Sequence, residues 1–167
     1  MIVKFLKTWL ENKRWNKYKN LNIGSGTLIE KENLDGIVPQ LIEIGARCIF
    51  APKSVVLAHD ASLLALTGKY LFAKVVIGDN VFVGYGAVIM PGVNIGNNVI
   101  IGSNAVVTKN IPDNSVVVGV PAKIICAPDE LIEKRSLNLS EPVFDWERGI
   151  SNEDIVKQQI ALGLIDE

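Results

Sequence analysis

The 167-residue chain is poor in the residues that build metal centres and disulfide frameworks. It has two cysteines, Cys48 and Cys126, and a single histidine, His59. The two cysteines indicate neither a disulfide scaffold nor a zinc cluster, which fits a reducing, cytoplasmic compartment. One histidine cannot supply a three-histidine metal site. We therefore expect no metal ion in this protein.

Strong net charge and long apolar runs are also missing. The formal net charge is −1, so the composition gives no general nucleic-acid footprint. No stretch reaches the roughly 18 uninterrupted apolar residues that a transmembrane helix needs, and the first residues lack the apolar run and cleavage site of a signal peptide. Hydrophobic residues make up 49% of the chain, which is enough for the core of one domain with appendages.

What the sequence has instead is a strict period of six. Aliphatic residues occupy the first position of each hexad, glycine follows most of them, and the fifth position is small or β-branched. A helix would show a period of about 3.6 and an ordinary strand a period of about 2, so this pattern indicates the hexapeptide repeat of a parallel β-helix. The first positions are Ile77, Val83, Ile89, Ile95, Ile101 and Val107, the glycines are Gly78, Gly84, Gly96 and Gly102, and the fifth positions are Val81, Ala87, Val93, Val99, Ala105 and Ile111.

Each hexad predicts a short strand followed by a tight corner. We expect the first and fifth residues to face a narrow interior, and the glycine to lie at the corner with a positive φ. Asn80, Asn94, Asn97 and Asn104 fall near corners, where asparagine tolerates the left-handed region. Since three hexads make one triangular coil, residues 77–112 predict two coils.

The repeat extends towards the N-terminus with one interruption. A further coil is predicted from residue 44 to about 61. The step from Ile44 to Ile77 is not a whole number of hexads. Residues 61–76 are therefore predicted to loop out of the coil. The first positions of this earlier coil are Ile44, Phe50 and Val56, and its fifth positions are Cys48, Ser54 and Asp60.

Both ends of the chain are predicted to be helical appendages. Residues 2–19 predict an amphipathic helix with basic residues on its polar face. Such a helix suits a weak contact with a membrane surface. It also suits a cap on the open end of the coil stack, which we favour because a solenoid needs a capped end. Asp129 begins a short helix over 130–135, and Ser151 or Asn152 begins a last one. The predicted domains are 1–20, 21–126 as the repeat domain, and 127–167 as the C-terminal extension.

His59 is the residue best suited to act as a general base near neutral pH. It comes at the end of the coil that starts at Ile44, directly before the predicted loop, which could form one wall of a cleft. A single histidine at a corner is also often only solvated or hydrogen-bonded, so its position alone leaves both interpretations open. The sequence has no Gly-x-Ser-x-Gly nucleophile motif and no Walker phosphate loop.

Several further elements give the chain a family resemblance. Ala58-His59-Asp60 is one, and the most specific are Val-Thr-Lys-x-Ile-Pro at 107–112 and Gly-x-Pro-Ala-Lys at 119–123. With the hexads between them, residues 44–125 resemble the hexapeptide-repeat O-acetyltransferases, the group that includes the maltose, galactoside and virginiamycin-type enzymes. A bare hexad repeat would be less specific, because it also occurs in other acyltransferases, nucleotidyltransferases and scaffolds.

The resemblance implies a left-handed parallel β-helix with an all-β core, a homotrimer, and active sites between subunits. It implies acetyl-CoA as the donor and a hydroxyl of a sugar or polysaccharide precursor as the acceptor. His59 matches the family's catalytic histidine, which acts as general base in a direct transfer, so no covalent acyl-enzyme is needed. Asp60, which follows it, is a candidate substrate contact.

The resemblance also places the CoA contacts. The two glycines among them let the backbone approach the pantetheine closely, and the lysines meet a phosphate as point charges or are solvated surface residues. This chain departs from the family at Tyr85, where a small residue is usual, at Phe82, where tryptophan is usual, and at Cys126, where a basic residue is usual. No clear match to the family's acceptor contacts occurs in residues 20–43. The matching positions are Gly84, Tyr85, Gly102, Ser103, Thr108, Lys109 and Lys123.

Three functions stay open on the sequence. The first is an O-acetyltransferase that acts on a sugar hydroxyl, and the second is an N-acetyltransferase that acts on an amino-sugar with the same base. The third is a non-catalytic trimeric scaffold, in which His59 is dispensable and CoA does not bind. The His59–Asp60 pair and the Thr-Lys-x-Ile-Pro element argue against the scaffold. The histidine count disfavours a carbonic anhydrase-like metalloenzyme.

Overall fold

The computed structural model describes Tyr18, residues 21–136 and Lys157. Of the predicted helix over 2–19, only Tyr18 is among these residues, and it lies in a turn. The predicted start of a last helix at Ser151 or Asn152 lies outside them. The chain divides into two compact units, 1–132 and 133–167, and the first contains every strand given below. No helix in the described part of the chain is long and apolar enough to cross a membrane.

The described residues form mostly short strands and little helix. Two 3-10 turns lie at Lys31–Asn33 and Pro39–Leu41, helix α1 is Leu64–Thr67, and helix α2 is Pro128–Arg135. Helix α2 begins ahead of the predicted cap at Asp129, because a proline at the first helical position needs no N–H partner. The strands are β1 Asn22–Ile23, β2 Ile42–Ile44, β3 Ile49–Phe50, β4 Val55–Val56, β5 His59–Asp60, β6 Leu71–Phe72, β7 Val75–Ile77, β8 Phe82–Val83, β9 Val88–Ile89, β10 Asn94–Ile95, β11 Ile100–Ile101, β12 Val106–Val107, β13 Val116–Val118 and β14 Lys123–Cys126.

The chain passes through three sheets in turn, and each sheet stacks strands from successive passes. Sheet 1 has the order β1-β2-β7-β10, sheet 2 the order β14-β13-β11-β8-β3, and sheet 3 the order β12-β9-β4. Neighbours are parallel except for β13 and β14. The predicted register of three hexads per pass is confirmed in the middle of the stack. The partners with this offset include Ile77 and Ile95, Phe82 and Ile100, and Val88 and Val106.

The core is the interior that the three sheets share. Every predicted first and fifth position from Ile77 to Ile111 is buried, and so are Cys48 and Ser54. Burial of one Val or Ile side chain stabilises the fold by roughly 1.5–3 kcal/mol. The repeated aliphatic positions therefore hold the stack together. Asp60 does not fit the prediction of a fifth, inward position, because it is partly exposed in β5 after the chain has left the stack.

The glycines that follow the first positions lack the left-handed backbone that we predict for them from the sequence. The reason for glycine there is the close approach of stacked passes. A Cβ on Gly78 would lie 2.7 Å from Oδ1 of Asn97 and 2.8 Å from the backbone of Gly96. A Cβ on Gly84 would lie 2.6 Å from the backbone nitrogen of Ser103. Positive φ among glycines occurs instead at Gly26, Gly68, Gly86, Gly92 and Gly119.

Three asparagines on successive passes take left-handed positions at the corner between sheets 1 and 2, and Arg47 takes the same position one pass earlier. Asn80, Asn98 and Asn114 have φ angles of 56°, 54° and 54°. Nδ2 of Asn80 donates to Oδ1 of Asn98 at 2.9 Å, and Nδ2 of Asn98 donates to Oδ1 of Asn114 at 3.0 Å. We call these three residues the asparagine ladder. Of the predicted corner asparagines, Asn80 and Asn104 have a positive φ, whereas Asn94 lies in β10 and Asn97 has no positive φ.

An excursion from the stack separates β4 from β7. Ile44 and Ile77 are partners on successive passes although their spacing is not a whole number of hexads, because the chain leaves the stack after Ala58 and returns at Ala73. The excursion is an antiparallel pair of β5 and β6 with helix α1 between them. We call residues 59–72 the hairpin. It leaves from the corner between sheets 3 and 1.

The last pass through the stack is shortened. Ile111 pairs with Ile95 and Val116 with Ile100, and in both pairs the offset is shorter than three hexads. The hexad count places Ile111 at a fifth position, but it stacks on a first-position residue. The chain therefore turns sooner after Val107 than the repeat predicts.

Candidate active site

His59 begins the hairpin at the point where the chain leaves the stack. Ala58 is fully buried, and its carbonyl accepts a hydrogen bond from the N–H of Ala73 at 3.0 Å, which closes the base of the hairpin. His59 lies opposite Phe72 in the β5–β6 pair. The side chain of His59 is 18% exposed. It is therefore held against the stack but can be reached from solvent.

A buried carboxylate holds the ring of His59. The side chain of Asp35 is fully buried, and its Oδ2 lies 2.5 Å from Nδ1 of His59. The same oxygen accepts the N–H of Ala58 at 2.8 Å and the N–H of His59 at 3.1 Å. Oδ1 accepts the N–H of Ile37 at 2.7 Å and the N–H of Val38 at 3.0 Å. These five bonds fix the carboxylate, and the carboxylate fixes the imidazole.

Asp35 is kept in its charged form. Burial favours the neutral acid, but hydrogen bonds from His59 and from the N–H groups of Val38, Ala58 and Ile37 outweigh it and lower the pKa of Asp35. An ionised carboxylate only accepts hydrogen bonds, so the proton between the two groups is on Nδ1 of His59. An imidazole in its neutral form with this proton on Nδ1 presents Nε2 as a proton acceptor. This is the arrangement that a general base requires.

Asp35 is a site residue that the sequence pattern does not indicate. In the structure the segment around it runs beside the strand that leads to His59. Nδ2 of Asn33 donates to the carbonyl of Ser54 at 2.9 Å, and Leu34 forms a parallel bridge with Val56. The next residue, Asp35, then meets the start of the hairpin. The local sequence gives little signal, because polar and charged residues precede Leu34 and the glycine that follows Asp35 is typical of a turn.

Asp60 has a different environment from His59. Successive residues of a strand point to opposite faces, so Asp60 lies on the other side of the hairpin from the imidazole. Its Oδ1 accepts the N–H of Ser62 at 2.7 Å. The hydrogen bonds from Ser62 lower the pKa of this exposed carboxyl. Asp60 thus caps its own loop, and Asp35 is the carboxylate that contacts the imidazole.

Four of the predicted CoA contacts are stacked on the corner between sheets 2 and 3. Gly84–Tyr85 and Gly102–Ser103 occupy equivalent places on successive passes, and the N–H of Asn104 donates to the carbonyl of Tyr85 at 2.8 Å. Tyr85 and Ser103 are exposed, and the ammonium of Lys53 lies 5.3 Å from the centroid of the Tyr85 ring. The missing Cβ of each glycine faces the next pass of the stack, so stacking accounts for both glycines.

The other three predicted contacts lie elsewhere on the stack. Thr108 and Lys109 are exposed on the corner between sheets 3 and 1, which is the corner that the hairpin leaves. Lys123 is exposed in β14, opposite Val118. The predicted contacts therefore divide between the two edges of sheet 3 and the end of sheet 2. Over residues 21–136, with Tyr18 and Lys157, no three His, Cys, Asp or Glu side chains are grouped to hold a metal ion.

The regular part of the stack matches a known family. The family described as bacterial transferase hexapeptide (six repeats) matches residues 74–109. Protein CapG of Staphylococcus aureus is 40% identical over 129 residues, which cover 72% of this chain and 75% of CapG. The putative acetyltransferase YvoF of Bacillus subtilis (strain 168) is 30% identical over 130 residues, which cover 77% of this chain and 71% of YvoF.

Solved structures show the same fold. The maltose O-acetyltransferase of Clostridium difficile 630 matches with a TM-score of 0.50 at 30% identity, over 65% of this chain and 67% of that one. A hexapeptide-repeat acetyltransferase of Vibrio cholerae O1 biovar eltor, solved with acetyl coenzyme A, matches with a TM-score of 0.51 at 25% identity, over 65% of this chain and 61% of that one. The fold of the stack is therefore one that acetyltransferases use.

Proposed function

The chain belongs to the hexapeptide-repeat acetyltransferases, and from this membership and its site we propose that it transfers the acetyl group of acetyl-CoA to a hydroxyl of a sugar or polysaccharide precursor. The observation that supports this most directly is the buried Asp35 carboxylate on Nδ1 of His59, which leaves Nε2 available as a base. A buried charge paired with a partly exposed histidine is typical of functional sites.

In the proposed reaction, Nε2 of His59 accepts the proton of the acceptor hydroxyl while the hydroxyl oxygen attacks the thioester carbonyl carbon. A new C–O bond forms, the C–S bond breaks, and the proton passes from Nε2 to the departing thiolate. Asp35 keeps its charge and stabilises the imidazolium in between. A backbone N–H near a coil corner stabilises the oxyanion. No covalent acyl-enzyme forms.

The donor is proposed to lie along the corners of the stack. Tyr85 and Ser103 are exposed on one corner, and Thr108 and Lys109 on the next. Gly84 and Gly102 would contribute backbone only. A lysine ammonium on the stack, including that of Lys123, meets a phosphate of CoA as a point charge. The bound acetyl coenzyme A in the related Vibrio cholerae structure supports this donor.

We also propose that the coil is a left-handed β-helix and that it assembles as a homotrimer with sites between subunits. Sheet 2 carries several exposed apolar side chains, and large exposed apolar patches mark interfaces. The predicted donor contacts occupy both edges of sheet 3, which favours a groove shared by two copies. The exposed apolar residues of sheet 2 include Ile49, Phe82, Val118, Ile124 and Ile125.

The test is release of CoA from acetyl-CoA in the presence of sugars and nucleotide-sugars. We compare wild type with His59→Ala and with the control Leu66→Ala, whose side chain is on the hairpin and 83% exposed. Loss of the base lowers turnover by roughly 100- to 10,000-fold, whereas Leu66→Ala keeps the wild-type rate.

Equal rates for His59→Ala and wild type would contradict the proposed mechanism. Acceptor pairs that differ only by a hydroxyl or an amine separate O-acetylation from N-acetylation. If no acceptor gives turnover and calorimetry detects no CoA binding, the chain is a scaffold.

A further inference from the structure

The hairpin presents two aromatic rings beside the proposed base. The ring centroid of Tyr70 lies 6.4 Å from that of His59 at an interplanar angle of 46°, and the ring of Phe72 stacks on Tyr70 at 5.7 Å and 21°. Tyr70 is 44% exposed and Phe72 is 50% exposed. Large aromatic side chains usually bury most of their surface. We call Tyr70 and Phe72 the aromatic wall.

Strand pairing sets the register of this wall. Phe72 is the partner of His59 in the antiparallel β5–β6 pair, and directly opposite residues project from the same face. Tyr70 is two residues before Phe72, so alternation brings it to that face as well. Asp60 and Leu71 pair on the other face. The hairpin therefore holds two rings at a fixed place relative to the base.

We propose that Tyr70 and Phe72 bind the ring of the acceptor and thereby select a pyranose sugar over an open-chain polyol. The inference rests on the proposed function. One face of a pyranose presents C–H groups, which pack on an aromatic ring, while its hydroxyls project from the edge. A sugar stacked on the wall directs an edge hydroxyl towards Nε2 of His59. An open-chain polyol has no flat apolar face and gains little from the same contact.

The chemistry favours the acceptor over the donor at this wall. The only aromatic group of acetyl-CoA is its adenine, which is at the far end of the molecule from the thioester. Because the thioester must be close to the base, the adenine cannot stack beside His59. The pantetheine arm that does reach the base is a flexible chain without a ring. The proposed donor contacts, such as Tyr85, Ser103 and Lys109, also lie on the stack and outside the hairpin.

The experiment measures sugar binding and transfer separately. Binding is measured by saturation-transfer NMR. The ligands are methyl β-galactopyranoside and methyl β-glucopyranoside, each compared with its open-chain alditol. The proteins are wild type, Tyr70→Ala, Phe72→Ala and Tyr70→Phe. Wild type transfers saturation to the ring C–H protons of a pyranoside and not to the alditols. Loss of a stacked ring weakens pyranoside binding by roughly 3- to 10-fold, and Tyr70→Phe retains it.

Kinetics give the second measurement. With an acceptor that turns over, Tyr70→Ala raises KM for that acceptor and leaves KM for acetyl-CoA unchanged, and Leu66→Ala changes neither. Pyranoside binding by Tyr70→Ala and Phe72→Ala that equals wild type would overturn the inference. So would equal binding of pyranosides and alditols, or binding of neither. Wild-type activity of His59→Ala would contradict the proposed base and not the proposed sugar contact. That variant still contains Tyr70 and Phe72, so its activity tests the transfer step alone.

Discussion

The regular part of the stack and the region around His59 are built differently. Between Ile77 and Val107 the parallel partners are three hexads apart in all three sheets. In the region that holds the candidate site, Ile23 pairs with Ile44 and Ile44 with Ile77, and both offsets are longer than three hexads. A regular repeat gives every pass the same surroundings, so it cannot by itself produce a unique pocket. The candidate site lies where the repeat is interrupted.

Polar side chains show the same contrast. In the stack the asparagine ladder pairs neutral amides with identical amides from the next pass. Beside the hairpin a single carboxylate, Asp35, is fully buried and pairs with a single histidine. Every buried side-chain polar atom among the described residues has a hydrogen-bond partner. The asparagine ladder thus repeats the same side-chain hydrogen bond from one pass to the next, whereas the Asp35–His59 pair places one charge beside one base.

The largest effect is expected when the charge of this pair is removed. In Asp35→Asn the imidazolium loses its counter-charge, and an amide can present N–H to Nδ1 and hold the wrong tautomer. We expect kcat to fall by roughly 100- to 10,000-fold. The matched control is Asp79→Asn in the stack, where the retained oxygen still accepts the N–H of Ala46. Steady-state kinetics and thermal unfolding of both variants at one protein concentration check this.

An Asp35→Asn enzyme with wild-type kcat would show that the carboxylate only supports the fold. A variant that unfolds at the assay temperature would not decide the matter, so the assay is run below its measured midpoint. The distinguishing result is a folded Asp35→Asn protein with a low kcat beside a fully active Asp79→Asn protein.

A smaller effect is expected from the spacing of the passes. In Gly78→Ala the new Cβ would lie within 2.8 Å of the backbone of Gly96, so two passes must separate, at a cost of roughly 1–3 kcal/mol. In Gly36→Ala, outside the regular stack, the new Cβ meets no atom within 4 Å. Its effect is expected to be within about 1 kcal/mol and stabilising, because alanine restricts the unfolded chain. Urea unfolding midpoints check the pair, and equal midpoints would contradict the proposed reason for the stack glycines.

The stack could be predicted from the sequence because its signals are local and repeated. A hexad contains its own strand, corner and inward positions, so Ile77 to Val107 are placed by counting. The count fails where a corner shortens, as at Ile111. The hexad count also locates the glycines but does not explain why glycine is needed, because the close contact at Gly78 is with the next pass of the stack.

The candidate site could be predicted only in part. The single histidine and the interruption of the repeat both indicate His59. Asp35 could not be found, because it lies before Ile44, where the counted hexads begin, so the count assigns no residue of that earlier segment to His59. Tyr70 and Phe72 are likewise placed by the pairing of β5 with β6, and the hexad pattern does not extend into that pairing. Long-range pairing outside the repeat is what the sequence leaves undetermined.

The smallest effect is expected from acid, and it again separates the two regions. Because the pKa of Asp35 is lowered from its usual 3.8, the unfolded chain takes up this proton at a higher pH than the folded chain. The stability that Asp35 contributes is therefore fully present above the usual pKa of 3.8 and is lost as the pH falls through the lowered pKa. Asp35→Asn has no such proton, so its free energy of unfolding should fall less than that of wild type between pH 7 and about pH 3. Urea unfolding at fixed ionic strength measures the difference. Equal losses in the two proteins would mean that Asp35 keeps no advantage for its charged form in the folded chain, and the case for an ionised partner of His59 at neutral pH would fail with it.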